Sequence, residues 1–271
     1  MESLDKLKKL PLVDLERLLE QARAEHWRQI TLIGAGVQLG ALEAWPQALR
    51  AADRIFQLQA TVDGLVGKLR FLSDLTFLNL WGNNIGNEGV KVIVSSLPNL
   101  TSLYLRNSNI GDEGVEAIAA SLPGLTLLGL EGNHIGNRGA KAIAASLPNL
   151  TLLDLGNNNI GAEGAKAIAA SLPGVISLSL WNNNIGTEGT KAIVTSLPGL
   201  TWLGLGDNNI GDEGAKTIAT SLPGLVSLAL GSSNIGTEGA KAIAASLPNL
   251  TLLNLGNNDI GGEGAKAHAS V

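Results

Sequence analysis

The sequence contains no cysteine, and its 271 residues include only five tryptophans, three phenylalanines and one tyrosine. The absence of thiols excludes disulfide bonds, zinc–thiolate centres and a cysteine nucleophile. With so few aromatic side chains, the core has to be built mainly from the aliphatic residues that dominate the 45% hydrophobic content. An aromatic residue outside that core therefore needs a separate explanation.

Runs of like charge and long apolar runs are also absent. Nineteen basic residues are outnumbered by 24 acidic ones, and no Lys/Arg-rich run supplies the positive field that a phosphate backbone requires. We therefore expect no nucleic-acid partner. No stretch is long and apolar enough for a membrane span, and charges are spread through the N-terminal "MESLDKLKKLPLVDLERLLEQ". The sequence predicts a cytoplasmic protein with no membrane partner.

Internal repetition dominates the rest of the chain. Eight units follow one another at a spacing of 25 residues from position 75, with the common text L-T-x-L-x-L-x-x-N-x-I-G-x-E-G-A-K-A-I-A-x-S-L-P-G/N. "LTLLDL" (150–155) alternates as a strand with one inward face does, and "GAEGAKAIAASLPG" (161–174) has helical spacing before its Pro and Gly. Each unit therefore predicts one short strand followed by one short helix.

Polar residues recur at fixed places in the unit. The asparagines of unit position nine can bond the backbone of the turn and of a neighbouring coil; they are Asn83, Asn133, Asn158, Asn183, Asn208 and Asn258. Serine replaces asparagine at 108 and 233, where we expect a weaker ladder. Helix N-caps are predicted at the start of four helices, on Asp112, Thr187, Asp212 and Thr237.

A single unit cannot cover its own apolar side chains, so neighbouring units must stack. Helices are about 10 Å wide and strands about 4.8 Å apart, so the stack curves with its sheet inside. The sequence predicts an α/β solenoid, a horseshoe with a parallel concave sheet and short convex helices. Leu155 should lie in the stacked interior, with Leu130 and Leu180 beside it.

The first 74 residues depart from the strict text and predict a different organisation. Residues 1–26 are expected to form an N-terminal helical cap, because "LVDLERLLEQARAEHW" places Leu12, Leu15, Leu19 and Ala22 on one helical face. Residues 27–74 are expected to hold two irregular coils, at "WRQITLIGAGV" (27–37) and, more loosely, at "IFQLQATVDGL" (55–65). Residues 75–271 are the regular units.

The candidate motifs for nucleotide binding, metal binding and catalysis are all incomplete. "ITLIGAGVQLG" carries Leu39 where a dinucleotide loop needs glycine, and "GLVGKL" at 64 lacks the spacing of a P-loop. His26, His134 and His268 lie far apart and in different repeat positions, which argues against a metal site or a catalytic triad. The recurrent Glu–Lys pairs, such as those at 163 and 166, are interpreted as a solvated helix face. We expect no catalytic residue, cofactor or metal.

Strand alternation sends unit positions three, five and seven to the concave surface. Five of the nine aromatic residues occur there, where folding does not require them. The predicted partner-binding residues are Phe77, Trp81, Tyr104, Arg106, Glu131, Asp154, Trp181 and Trp202. Two alternatives stay open: side chains such as Trp81 and Arg106 could cover one another, or the odd residues could reflect drift in a recently expanded array. Binding hot spots are enriched in Trp, Tyr and Arg, which favours a binding face.

The text "LTLLDLGNNNI" (150–160) resembles the leucine-rich repeat, and the resemblance covers at least residues 75–271. It is similar to the ribonuclease-inhibitor-like class, although the unit is shorter. "GAKAIA" resembles bacterial repeat proteins, and "LLEQARAEHWRQITLIG" is similar to the opening of bacterial repeat domains of Roco-type GTPases. The resemblance implies a non-catalytic module of a larger bacterial signalling protein, binding a protein or another domain of the same polypeptide. The alternative is a stand-alone secreted effector or inhibitor.

The last unit stops at Val271, before the Leu-Pro that closes every earlier unit. Its helix reads "GAKAHAS", and the open side of this coil should leave Leu253, Leu255 and Ile260 poorly covered. Two alternatives follow: the chain is an excised part of a longer protein, which we favour, or its final coil is a crude cap in which His268 makes the edge polar. We also expect weak self-association through residues 250–271.

Overall fold

A computed structural model of the chain describes residues 29–31 and 75–269. Within these ranges, short strands and helices alternate without exception from residue 77 onward. The strands are β1 (Gln29–Thr31), β2 (Phe77–Asn79), β3 (Ser102–Tyr104), β4 (Leu127–Gly129), β5 (Leu152–Asp154), β6 (Ser177–Ser179), β7 (Trp202–Gly204), β8 (Ser227–Ala229) and β9 (Leu252–Asn254). The helices are α1 (Gly86–Ser96), α2 (Asp112–Ser121), α3 (Asn137–Ser146), α4 (Ala162–Ser171), α5 (Gly186–Ser196), α6 (Gly211–Ser221), α7 (Thr237–Ser246) and α8 (Gly261–Ala269).

The strands form one parallel sheet in chain order, β1 to β9. Each strand pairs with the next so that equal unit positions face each other, as Leu78, Leu103 and Leu128 do. The hydrogen bonds continue past the three-residue strands, because the Leu80 N–H donates to the Tyr104 carbonyl at 2.9 Å. The predicted α/β solenoid is thereby confirmed.

Strand β1 lies directly beside β2, with Ile30 opposite Leu78. This register agrees with the sequence alignment that places "WRQITL" on the repeat text. The predicted cap at 1–26 and the second irregular coil at 55–65 lie outside the described residues, so the division into domains stays a prediction.

One aliphatic core runs through the stack from Leu75 to Leu247. Leu130, Leu155 and Leu180, which succeed one another at unit position six, are all 0% exposed, as predicted. Helices α1 to α7 each place an isoleucine in the core, such as Ile168 of α4, and most place a buried alanine or valine three residues before it, such as Ala165. Because every coil uses the same positions, the interior is continuous along the solenoid axis.

A left-handed turn follows every strand of the regular units. At unit position eight, φ lies between +48° and +72° in all eight coils. Glycine, asparagine and aspartate, which tolerate this conformation, occupy seven of the eight positions, and Ser232 is the exception. The turn explains a residue preference that periodicity alone did not reveal.

The asparagine ladder ties each coil to the one before it. The Asn158 amide donates to the carbonyl oxygens of Leu130 at 3.0 Å and Leu155 at 3.1 Å, and its Oδ1 accepts the Ile135 N–H at 3.0 Å. At Ser108 the shorter side chain reaches the Leu80 carbonyl only at 3.5 Å. This geometry agrees with the expected weakening at the serine positions.

The prediction of four N-caps is wrong, because these side chains do not cap the helices in whose first turn they stand. The Oδ1 of Asp112 instead accepts the N–H groups of Gly136 at 2.7 Å and Gly139 at 2.9 Å, which open helix α3 of the next coil. Asp212 does the same for helix α7. The threonine hydroxyls at 187 and 237 donate to carbonyl oxygens of the following coil. Stacking places the free N–H groups of the next helix closer than those of the same helix.

The outermost described strand, β9, is less well covered than its equivalents. Leu253, Leu255 and Ile260 are only partly buried, and Leu252 is 55% exposed. Their counterparts at positions four, six and eleven of the earlier regular units are buried. Self-association through this coil stays a prediction. The His268 side chain lies outside the part of the chain that the structure describes.

Candidate binding cleft on the concave face

We call the outward surface of the sheet, which carries unit positions three, five and seven, the concave face. The eight residues predicted for partner binding all lie on it, in strands β2, β3, β5 and β7 or directly after strands β2, β3, β4 and β6. None of them is buried, and Trp81 is the most exposed of the aromatic ones at 37%. The structure separates the eight residues into two groups with different surroundings.

The first group covers itself. The Phe77 and Tyr104 rings are 5.7 Å apart, centroid to centroid. The Arg106 guanidinium lies 5.0 Å from the centre of the Trp81 ring, and its Nη2 is 2.8 Å from Oε1 of Glu131. A cation between an aromatic ring and a carboxylate is satisfied on both sides. For this half of the concave face, the alternative of mutual side-chain coverage describes the contacts well.

Asp154 sets the local electrostatics. Burial raises the pKa of Glu131, the negative charge of Asp154 raises it further, and Arg106 opposes the shift. Burial and the charge of Asp154 also raise the pKa of Tyr104. The Oδ1 of Asp154 accepts the Gly156 N–H at 3.1 Å. Within residues 29–31 and 75–269, neither Asp154 nor Asp207 forms an ion pair.

The second group surrounds an open cleft of about 500 Å³. Trp181 and Trp202 are its large apolar side chains, and its lining is completed by Glu131, Asp154, Ser179, Gly204, Gly206, Asp207, Ala229, Gly231, Ser232, Asn254, Gly256 and Asn257. No lysine or arginine lines it.

Both tryptophans of the cleft rest on glycines. The Trp181 indole leans back over Gly156, the residue at the same unit position of the preceding coil, so closely that a Cβ there would overlap the ring. The Trp202 ring lies along its own strand, and a Cβ on Gly204 would be 2.7 Å from the ring. Gly156 of the preceding coil and Gly204 of the same strand therefore leave room for the two indoles.

Sequence reasoning missed the residues that make the cleft open. Gly206, Gly231 and Gly256 occupy position seven of three successive coils, so no side chain fills the space beside Trp202. The signal was present as a run of glycine at a position where the first three regular units carry Trp, Arg and Glu. Asp207, Asn254 and Asn257 were missed because their roles depend on coil stacking.

The remaining sequence candidates do not converge on a reactive site. In the part of the chain that the structure describes, no three His, Asp or Glu side chains cluster closely enough to hold a metal ion. His134 is exposed, and the other two histidines have no described side chain. The glycine-rich segments at 34–39 and 64–69 lie outside the described ranges. No helix among the described residues is long and apolar enough to cross a membrane.

The described residues thus form a solenoid of strand–helix repeats with an open cleft on its sheet. The leucine-rich repeat family model matches seven segments, 72–94, 96–119, 124–144, 146–169, 200–219, 223–244 and 246–267. These segments make up more than half of the chain, which therefore belongs to the leucine-rich repeat family. No curated protein matches the sequence.

Many solved structures resemble the chain, and two of them illustrate the likeness of the fold. An internalin of Listeria monocytogenes has a TM-score of 0.56 and 24% identity over 75% of this chain and 62% of its own. TLR13, solved in complex with the RNA ssRNA13, has a TM-score of 0.52 and 26% identity over 76% of this chain and 28% of its own. The aligned region thus spans less than two thirds of either relative. The similarity concerns the repeat fold.

Proposed function

We propose that the chain is a non-catalytic interaction module that binds a protein partner through the cleft beside Trp181 and Trp202. The observation that carries this proposal is the open cleft of about 500 Å³ with two tryptophans, on a face that the core does not use. Repeat solenoids present their concave surfaces to partners, and tryptophan is enriched at binding hot spots. The cleft is the centre of the binding face, and the self-covering group around Trp81 forms its border.

The charge of the cleft supports a protein partner over a nucleic acid. Glu131, Asp154 and Asp207 contribute its charged side chains, and all three are acidic. Phosphate groups would be repelled at such a surface, because their binding depends on lysine and arginine. TLR13 was solved with RNA, so an RNA oligonucleotide is the proper competitor in a test. The partner is a separate protein or another domain of the same polypeptide.

The finer assignments from the sequence stay predictions. They are an arm of a bacterial Roco-type signalling GTPase, a stand-alone effector or inhibitor as the alternative, a cytoplasmic location and the ribonuclease-inhibitor-like subtype. The native reading frame tests the first two, since a downstream G-x-x-x-x-G-K-S/T motif selects the GTPase.

Selection from a displayed library of random peptides tests the proposed binding face. Peptides that bind the wild type should lose binding to Trp181→Gly, which restores the residue of sister units. They should also lose binding to Gly231→Trp, which would place an indole over Gly206 as Trp181 lies over Gly156 and so fill the cleft. The matched control is Lys241→Ala on the convex helix α7, which should leave binding unchanged. Binders that tolerate both cleft variants would refute the proposed face.

A further inference from the structure

We infer that the cleft receives a cationic side chain, a lysine or arginine of the partner protein, held between the Trp181 indole and the carboxylates of Asp154 and Asp207. This inference rests on the proposed function and adds the chemistry of the bound residue. The same cleft could be imagined to take a purely apolar side chain, and charge decides between the two.

The cleft carries negative charge that the protein itself does not neutralise. Asp154 and Asp207 have no ion-pair partner among the described residues. Arg106, which also lies on the concave face, is paired with Glu131. Burial and, after it, the negative charge of Asp154 raise the pKa values of Glu131 and Tyr104. An incoming cation would therefore meet an uncompensated field, whereas an incoming carboxylate or phosphate would be repelled.

The concave face already contains one example of the proposed arrangement. Arg106 lies over Trp81 and contacts the Glu131 carboxylate, so one cation is shared by an indole and an acid. All three residues stand at unit position seven of successive coils. At Trp181 the next coil has Gly206 where the first set has Arg106. The second set thus has the indole but lacks the cation, which a partner residue can supply. Its acids, Asp154 and Asp207, stand at unit positions five and eight and line the same cleft as Trp181.

Peptides that differ at one residue test the inference directly. The probes are Ac-Ser-Gly-Xaa-Gly-Ser-amide peptides, with Xaa as lysine, arginine, norleucine or glutamate. Binding is followed by NMR at the indole N–H signals of Trp181 and Trp202, each assigned as the signal missing from the spectrum of Trp181→Gly or of Trp202→Leu, which copies Leu152. We expect the lysine and arginine peptides to shift these signals more strongly at low than at high salt. Norleucine, which keeps the apolar stem of lysine without its charge, should bind about tenfold more weakly or not at all.

Neutralising the two aspartates supplies the matched protein variants. Asp154→Asn copies Asn254, whose Oδ1 accepts the N–H two residues on as Asp154 does, and Asp207→Asn copies the left-handed Asn157. Both changes use residues that sister units carry at the same position, so the fold should be retained. The double variant should bind the lysine peptide about tenfold more weakly. Glu238→Gln, which removes one exposed charge on the convex side, should not change this binding.

The outcomes separate the inference from the proposed function. Equal binding of norleucine and lysine, or unchanged binding in the double aspartate variant, would overturn the cationic occupant. Failure of all four short peptides would overturn it too. The protein-binding face would survive these results if selected peptides still required Trp181. Preferential binding of a single-stranded RNA oligonucleotide at the same indole signals would refute both.

Discussion

The contact between Trp181 and Gly156 makes a prediction that two substitutions can test together. Gly156→Ala adds a methyl group where the Trp181 indole lies, and the Cβ would overlap Nε1 and Cδ1 of the ring. The indole must then leave its glycine support. Overpacking of this kind costs about 1 to 3 kcal/mol of the free energy of unfolding.

Removal of the indole should remove that cost. In Trp181→Gly, the same Gly156→Ala change no longer meets the ring, and its nearest neighbour should be the backbone carbonyl of residue 181, as the Gly231 carbonyl is at 3.0 Å for a Cβ on Gly206. Its effect should therefore fall to about 0.5 kcal/mol. The double-mutant cycle therefore predicts a coupling of about 1 to 3 kcal/mol between the two positions. Urea denaturation followed by far-UV circular dichroism measures all four proteins. The change in midpoint at constant slope gives each free-energy difference.

A glycine without a neighbour provides the control for this cycle. A Cβ on Gly124 would have no heavy atom within 4 Å, and sister units carry asparagine there. Gly124→Ala should therefore leave the midpoint nearly unchanged in both backgrounds. Equal destabilisation by Gly156→Ala with and without Trp181 would refute the support contact. Unfolding of Trp181→Gly itself would show that the indole is needed for the fold, against the proposed binding role.

Three further substitutions test the interior, the turn and the capping between coils. Leu155→Ala should cost about 2 to 5 kcal/mol in urea denaturation, because it leaves a cavity in the stacked core. Ser232→Asn should raise the thermal midpoint by an amount equivalent to up to about 1 kcal/mol, because asparagine tolerates the left-handed turn better than serine. Asp112→Ala should cost about 0.5 to 2 kcal/mol by freeing two N–H groups of α3, and faster hydrogen exchange at Gly136 and Gly139 should accompany it. An unchanged midpoint in the first or third variant, or a lower one in the second, would contradict the assigned contact.

Most of the fold was predictable because one 25-residue sequence pattern recurs along the chain. The strand at "LTLLDL" and the helix at "GAKAIA" follow from spacing within one unit, and stacking follows from the apolar faces that one unit leaves open. What failed were contacts between units. Asp112 stands at a helix start, so local rules assign it to its own helix, but the stacked coil offers nearer N–H groups at Gly136 and Gly139. The sequence of a single unit does not reveal how close Asp112 lies to the N–H groups of the next coil.

The candidate site was predicted less completely, for a related reason. Alternation correctly sent Trp81 and Trp181 to the concave face, but it did not distinguish their surroundings. The side chain one coil further along decides the difference. In the coil after Trp81, Arg106 lies over the Trp81 ring, whereas in the coil after Trp181, Gly206 leaves the space beside the indole open. The pattern that predicts these surroundings is therefore the column of residues, meaning the residues that stand at the same unit position in successive coils.

Such columns also explain how a regular solenoid can acquire a specific surface without losing stability. The core positions, the asparagine of position nine and the left-handed turn of position eight are all used in joining neighbouring coils. Positions three, five and seven project away from the core and can vary at a small cost in folding wherever the neighbouring side chains leave room. A tryptophan at position seven needs only a glycine beside it, which the preceding unit supplies at Gly156. Trp181 at position seven and Trp202 at position three, with aspartates near them and glycines beyond, turn a uniform sheet into the open cleft that we propose as the binding site.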